Sequence, residues 1–509
     1  MGELLLGIDI GTYSSKGVLC RPDGSILAEA RADHEMSIPK PGYAEHDADE
    51  VWWGDFKYIT QELSAKVPDG DQIVGVGVSA IGACVLPVDE NGKPLRPGIL
   101  YGVDTRAVDQ IEALEKRYTR EALVSLGGTR LTTQAVGPKI LWLKHNEPEI
   151  YQKTAKFITS TSYIIYKLTG NYAIDAHTAT EFNPLINIKT MAWDPTFAED
   201  ITPLEKLPTI GWSDEIAGRV TPQAAQETGI PAGTPVNFGA VDALSEAVSV
   251  GVVDVGELMI MYGSTAFFIF MIEKPVPTYE LWLEAGAFKG QYEYSAGLST
   301  SGSATTWFRD QFAKDLLAEE KAGGPNAYAA LAEEAVQAPI GANGLIMLPY
   351  MSGERTPIFD PKARGVLAGL SLSHTRGEMY RAVLEGTAFA IRMNMEAMQK
   401  AGAHIKHGVA VGGGASNELW LQMVSDVTGI PQLLPQKTIG ASYGDAFLAG
   451  LAVGAIENLD ALDKDWVKID RRIEPNLENK KVYDQIYSLF KALYHESKSV
   501  VHELSDMQK

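Results

Sequence analysis

The chain has 509 residues, 45% hydrophobic and 21% charged, an ordinary globular balance too long for a single core. A formal net charge of −21 excludes a broad nucleic-acid or anionic-membrane surface, though a local nest of N–H groups can still take an anion. Two cysteines exclude a disulfide framework and fit a reducing cytosol, and without a basic leader and cleavage site a cytoplasmic protein is expected.

Leu4–Lys16, LLLGIDIGTYSSK, reads as an apolar strand, a turn of Gly, Thr and Ser, and a second strand that resumes at Val18. Such a turn can aim several N–H groups and hydroxyls at one phosphate, and Asp9 places a carboxylate beside it where a magnesium ion would sit. The alternative is a polar hairpin with a solvated aspartate. Ser25–Ala30 reads as a third strand, Glu50–Leu63 as a helix and Ile73–Val78 as an apolar strand ending at Ser79-Ala80-Ile81-Gly82. Leu100–Arg106 reads as a strand end carrying Asp104 and Arg106, either facing a ligand crevice or forming a solvated pair. Residues 107–170 are helical by pattern, broken at Gly127-Gly128 and Gly137-Pro138, and 184–235 read as loops and short helices.

At Val236–Glu246 a strand enters a glycine turn and a helix starts at or near Asp242. That aspartate either serves the first helical turn or accepts a proton from a substrate hydroxyl. Glu257–Ile272 repeats the opening pattern, strand, Gly263-Ser264-Thr265, strand, so each half begins alike. This apolar stretch is too short and interrupted to span a bilayer. His407–Gly429 reads as strand, Gly412-Gly413-Gly414 and helix; it lacks the Gly-Lys-Ser/Thr end of a Walker A loop. Gly440–Gly450 is a helix of small residues, and Leu477–Leu504 reads as one or two amphipathic helices.

Gly365–Glu385, GVLAGLSLSHTRGEMYRAVLE, meets the second signature of the FGGY carbohydrate kinases, in the actin-like, ribonuclease-H-like ATPase superfamily. Gly353–Pro357 resembles the GERTP segment of that family's xylulokinase branch. DIGTYSSK resembles its first phosphate motif, Gly239–Asp242 its second with the catalytic base, and GGGASN its adenosine motif. The segment around Lys139–Leu143 matches the other signature only at its centre and reads as a packing helix. Gly82-Ala83 stands where xylulokinase-like members carry a sugar-contacting Met-His pair.

The resemblance implies an α/β fold of two ribonuclease-H-like domains, 1–246 and 247–509, flanking a central cleft, with a hinge near 247–256. It implies ATP with Mg²⁺, the metal on Asp9. The nucleotide would lie along Thr12, Ser14, Lys16, Gly263, Ser264, Thr265, Gly302, Gly413 and Asn417. The acceptor would lie near Gly82, Ala83 and Asp104, with Asp242 as base. The implied reaction phosphorylates a terminal hydroxyl of a small sugar, first a ketopentose, then a sugar acid such as gluconate or a sugar alcohol. A homodimer and no membrane or nucleic-acid partner are implied. From another class stand an actin- or chaperone-like ATPase and a silent sugar sensor.

Overall fold

The structure, a computed structural model, describes residues 2–508. Strand β1 (Glu3–Ile10) is buried without interruption from Leu4 to Ile8, as a strand covered on both faces must be. It pairs antiparallel with β2 (Ser14–Cys20), which pairs with β3 (Ile26–Asp33), whose alternating burial marks one wet face. On its other side β1 runs parallel to β4 (Gln72–Ala80), with Asp9 opposite Ser79 and Ile10 opposite Ala80. β5 (Pro235–Asn237) and β6 (Ala240–Val241) also run parallel to β4, and Ala240 lies opposite Ser79. α1 (Asp242–Ser249) starts where β6 stops. The carboxyl ends of β1, β4 and β6 therefore meet at one edge, the usual place for a ligand in such sheets.

The chain then enters a second sheet. β7 (Glu257–Tyr262) and β8 (Ala266–Ile272) form a hairpin that pairs Tyr262 with Ala266 across Gly263–Thr265. α2 (Gly302–Phe312) and α3 (Arg376–Lys400) follow. β9 (His407–Val411) runs parallel to β7, α4 (Glu418–Thr428) follows it, and β10 (Gln432–Pro435) runs parallel to β9. The order β8-β7-β9-β10 repeats β2-β1-β4-β5, so the duplicated motif is a duplicated topology.

α5 (Ala441–Val453) packs on the first sheet, and glycines make that possible. A Cβ on Gly7 would stand 1.9 Å from the Ser442 carbonyl, and one on Gly77 2.0 Å from that of Asp445. The compact units therefore follow no single cut. One takes residues 1–253, 272–293 and 437–468; the other takes 254–271, 294–436 and 469–509. α6 (Leu477–Met507) is a single helix in the second unit. Gly137-Pro138 is not the expected break: both residues occupy the first turn of the helix Val136–Asn146, where proline needs no N–H partner.

The motifs of the GERTP segment and second signature serve packing in the second unit. The Glu354 carboxylate accepts the N–H groups of Ser299 and Arg355, and Thr356 exchanges hydrogen bonds with the backbone of Gly297. Thr375 and Glu378 form a capping box on α3, where buried Arg381 pairs with Glu385 at 2.8 Å and Tyr483 joins them.

Candidate active site

In the first unit, the edge formed by β1, β4 and β6 gathers acidic groups. Asp9 is the last residue but one of β1, with Lys16 directly opposite on β2, so both side chains share a face. Asp242 opens α1, half-buried, and its Oδ1 accepts the Ala243 N–H at 2.8 Å. Glu246 follows one turn later on the same helix face. Below them, the buried Asp445 of α5 accepts the hydroxyls of Ser79 at 2.7 Å and Ser245 at 2.6 Å. Ser79 Oγ also lies 3.4 Å from Asp9 Oδ1, linking the two aspartates.

Burial, then the charges on Asp242, Asp445 and Glu246, raise the Asp9 carboxyl far above the usual carboxylate range, while Lys16 opposes them. Burial pushes Asp445 up to about 8, and Asp242 adds to it. Burial pushes Asp242 up to about 6, against the Ala243 hydrogen bond and the charge on His177. Asp9, Asp242 and Glu246 bring carboxyl oxygens to one strand-end edge beside a single ammonium, Lys16, the donor type that a hard divalent cation takes.

Thr12, Ser14 and Lys16 sit on the half-exposed turn and first residues of β2, with the Thr12 hydroxyl 3.3 Å from that of Tyr101. In the second unit, β7 and β9 run parallel, so the turns that follow them lie at one edge. Gly302 donates its N–H to the Gly263 carbonyl, and a Cβ there would come within 2.6 Å of that oxygen. Ser264 and Thr265 are exposed, Gly413 has open space around its Cα, and Asn417 caps α4 through Oδ1. The structure thus gathers Gly263, Ser264, Thr265 and Gly302 at one turn, with Gly413 and Asn417 on the neighbouring loop.

Asp104 and Ala83, both expected on the acceptor side, are buried. Asp104 does not form a solvated pair. Its side chain has no exposure, Arg106 Nη2 donates to it at 2.7 Å, and the Ala44 N–H takes Oδ2 as well. Ala83 is fully buried with both backbone groups engaged. The Glu181 carboxylate accepts its N–H, and Lys139 Nζ donates to its carbonyl at 3.2 Å. Lys139 is therefore more than a packing residue; burial pulls its ammonium down to about 8.

Behind this strand end lies a cluster absent from the sequence reading. His177 Nδ1 lies 2.9 Å from the Ala285 carbonyl and 3.4 Å from Glu293 Oε1, and Nε2 is 3.8 Å from Glu284 Oε2. The three side chains could in principle ligate one metal ion. The carboxylates, however, flank different ring nitrogens, and Nδ1 already faces a carbonyl, which is the geometry of an imidazolium between two anions. Burial disfavours that charge, but Glu293 and Glu284 outweigh it and raise His177 to about 9.

The family models for the FGGY carbohydrate kinases match both halves, the N-terminal domain over residues 4–249 and the C-terminal domain over 258–453. The chain belongs to the FGGY family of carbohydrate kinases. Similar curated relatives include a xylulose kinase of Staphylococcus epidermidis, 29% identical over 99% of this chain and 98% of the relative. A gluconokinase of Bacillus licheniformis is 28% identical over 96% of this chain and 95% of the relative. The crystal structure of xylulose kinase from Rhodospirillum rubrum superposes with a TM-score of 0.90 at 29% identity, covering 98% of this chain and all of that one. This carbohydrate kinase therefore has ATP as its phosphoryl donor and a small sugar as acceptor.

Sequence reasoning missed Ser79, Glu246, Asp445, Glu181 and His177. Glu246 was within reach, being four residues after Asp242 on one helix. Asp445 was disguised by its neighbours, since Gly440–Gly450 reads as a packing helix of small residues.

Proposed function

We propose that this FGGY kinase transfers the terminal phosphoryl group of ATP to a terminal hydroxyl of a neutral small sugar, most closely a ketopentose such as xylulose. The carrying observation is the meeting of Asp9, Lys16 and Asp242 at the carboxyl ends of three parallel strands. Asp242 orients the acceptor hydroxyl and takes its proton as the bond to phosphorus forms. Its position near pH 6 suits this task, because the carboxylate is ionised at neutral pH yet basic enough to accept a proton. Lys16, Thr12 and Ser14 face the transferred phosphoryl group. Gly263, Ser264, Thr265 and Gly302 are assigned to the nucleotide phosphates, and Gly413 and Asn417 to its adenosine.

Asp9 would hold Mg²⁺, with Glu246 and Asp242 contributing to the field, and the ion when bound offsets the charge of the phosphates. Two buried, unpaired cysteines support placing the reaction in a reducing cytoplasm.

Asp242→Asn tests the base. Turnover should fall by roughly two to four orders of magnitude with little change in ATP binding. Near-normal turnover would remove Asp242 from the role. A second reading, a sugar-acid acceptor, draws on the similarity to gluconokinases; an ADP-release assay with xylulose, gluconate and glycerol separates the two.

A further inference from the structure

Gly82 is half-exposed at the end of the strand that carries Ser79, between two groups that bear on the acceptor. A Cβ placed on it would stand 2.3 Å from Val241 Cγ2, the residue before Asp242, and 3.1 to 3.2 Å from both carboxylate oxygens of Glu181. Glu181 is mostly buried, and its carboxylate oxygens border the space that a side chain at position 82 would fill. It is fixed there by the N–H of Ala83, a non-glycine residue with φ of +52°, a backbone conformation that needs support from its surroundings. Lys139 supplies the rest of that support through the Ala83 carbonyl.

We propose that Glu181 is a specificity-determining residue of the acceptor site, holding hydroxyls of an uncharged ketose or polyol in the space left open at Gly82. The assignment rests on the reading of Asp242 as the base, since a side chain at position 82 would touch Val241, the residue before that base, on one side and Glu181 on the other.

The same surroundings turn away sugar acids. The charge of Glu284 bears on Glu181, while the cations acting on it are His177, committed between Glu284 and Glu293, and Lys139, buried on a carbonyl. Burial and then Glu284 already push the Glu181 carboxyl up to about 8. The charge of Glu284 opposes a negative charge at this place whether it sits on Glu181 or on a ligand. An aldonate stays ionised at neutral pH, and the two cations acting on Glu181 are already committed elsewhere.

The test measures KM and kcat by ADP release, and binding by calorimetry, with xylulose, glycerol and gluconate on wild type, Glu181→Ala, Glu181→Gln and Glu181→Lys. Wild type is expected to favour the neutral acceptors over gluconate by at least 100-fold in kcat/KM. Glu181→Ala should raise KM for the neutral acceptor about 10- to 100-fold, the loss of a strong hydrogen bond, with KM for ATP unchanged. Glu181→Gln, which still accepts the Ala83 N–H and keeps a donor, should restore KM to within about threefold. Glu181→Lys should shift the selectivity ratio toward gluconate at least tenfold.

Gluconate bound or used as well as the neutral sugars overturns the proposal. So does an unchanged selectivity ratio in Glu181→Lys, an unchanged KM in Glu181→Ala, or no neutral acceptor at all. Asp242→Asn run alongside keeps the two readings apart. If it retains turnover the base assignment fails, while the calorimetric selectivities of the Glu181 variants still report on Glu181.

Discussion

Asp445→Asn offers a sharp test of the carboxyl cluster, because the structure predicts that the substitution stabilises the protein. The native side chain is buried and takes two serine hydroxyls. Asparagine has the same shape, can accept one hydroxyl through its carbonyl and can donate to the other serine through its amide, so no polar group need be stranded. What disappears is the cost of keeping a carboxyl in that place. In the unfolded chain Asp445 ionises near pH 3.8, whereas folded it holds its proton to about 8. A raised folded value gives stability that is complete below the lower figure and drains away as pH rises through the higher one. Each unit is worth about 1.4 kcal/mol, so at pH 7 the wild type has lost about 4 kcal/mol that the asparagine variant keeps.

The measurement is urea unfolding between pH 4 and 9 without nucleotide or Mg²⁺, read on a transition assigned to the first unit, since a chain of two units need not unfold in one step. The expected result is a variant more stable by about 2–4 kcal/mol at pH 7, with the gap closing toward pH 4. Turnover should fall, because Ser79 ties this carboxyl to Asp9. A variant less stable than wild type at pH 7, or a gap that ignores pH, would refute the cluster as described.

Three other outcomes follow from the same geometry. Gly77→Ala should destabilise the first unit by about 1–3 kcal/mol or prevent folding, as the new methyl meets the backbone of α5; circular dichroism against urea reads this. His177, raised to about 9 by its two glutamates despite burial, should contribute stability that is full below pH 6.5 and lost as pH rises through 9. His177→Gln should flatten that alkaline limb in thermal unfolding. Asp104→Ala should cost about 3 kcal/mol by removing one of the two carboxylates that hold buried Arg106, Glu45 being the other, and should leave the KM of surviving protein for sugar near wild type.

Much of the fold was legible because it depends on local pattern. The LLLGIDIGTYSSK hairpin, its repeat at Glu257–Ile272 and the strand–Gly–helix unit after His407 all lie where apolar runs and glycine turns put them. The placement of Asp9, Lys16 and Asp242 was legible for the same reason, since they sit at the ends of strands readable one at a time. The acceptor side was not. Asp104 looked like a strand-end acid, but its fate was decided by Arg106 and the backbone of Ala44, sixty residues away in sequence. Glu181 and Asp445 become meaningful only when Ala83 and Ser79 are brought beside them, contacts spanning 98 and 366 residues that no window of sequence displays.

The return of the chain at Lys437 has a consequence for how the protein is made. The bare glycine face of Gly7 and Gly77 stays uncovered on the ribosome until Ala441–Val453 has emerged, roughly 200 residues after Val253, or ~10–40 s at ordinary rates of synthesis. Throughout that interval the nascent first unit holds exposed apolar strands, and so is a natural client for chaperones. A fragment ending at Val253 would lack the helix that completes its own core.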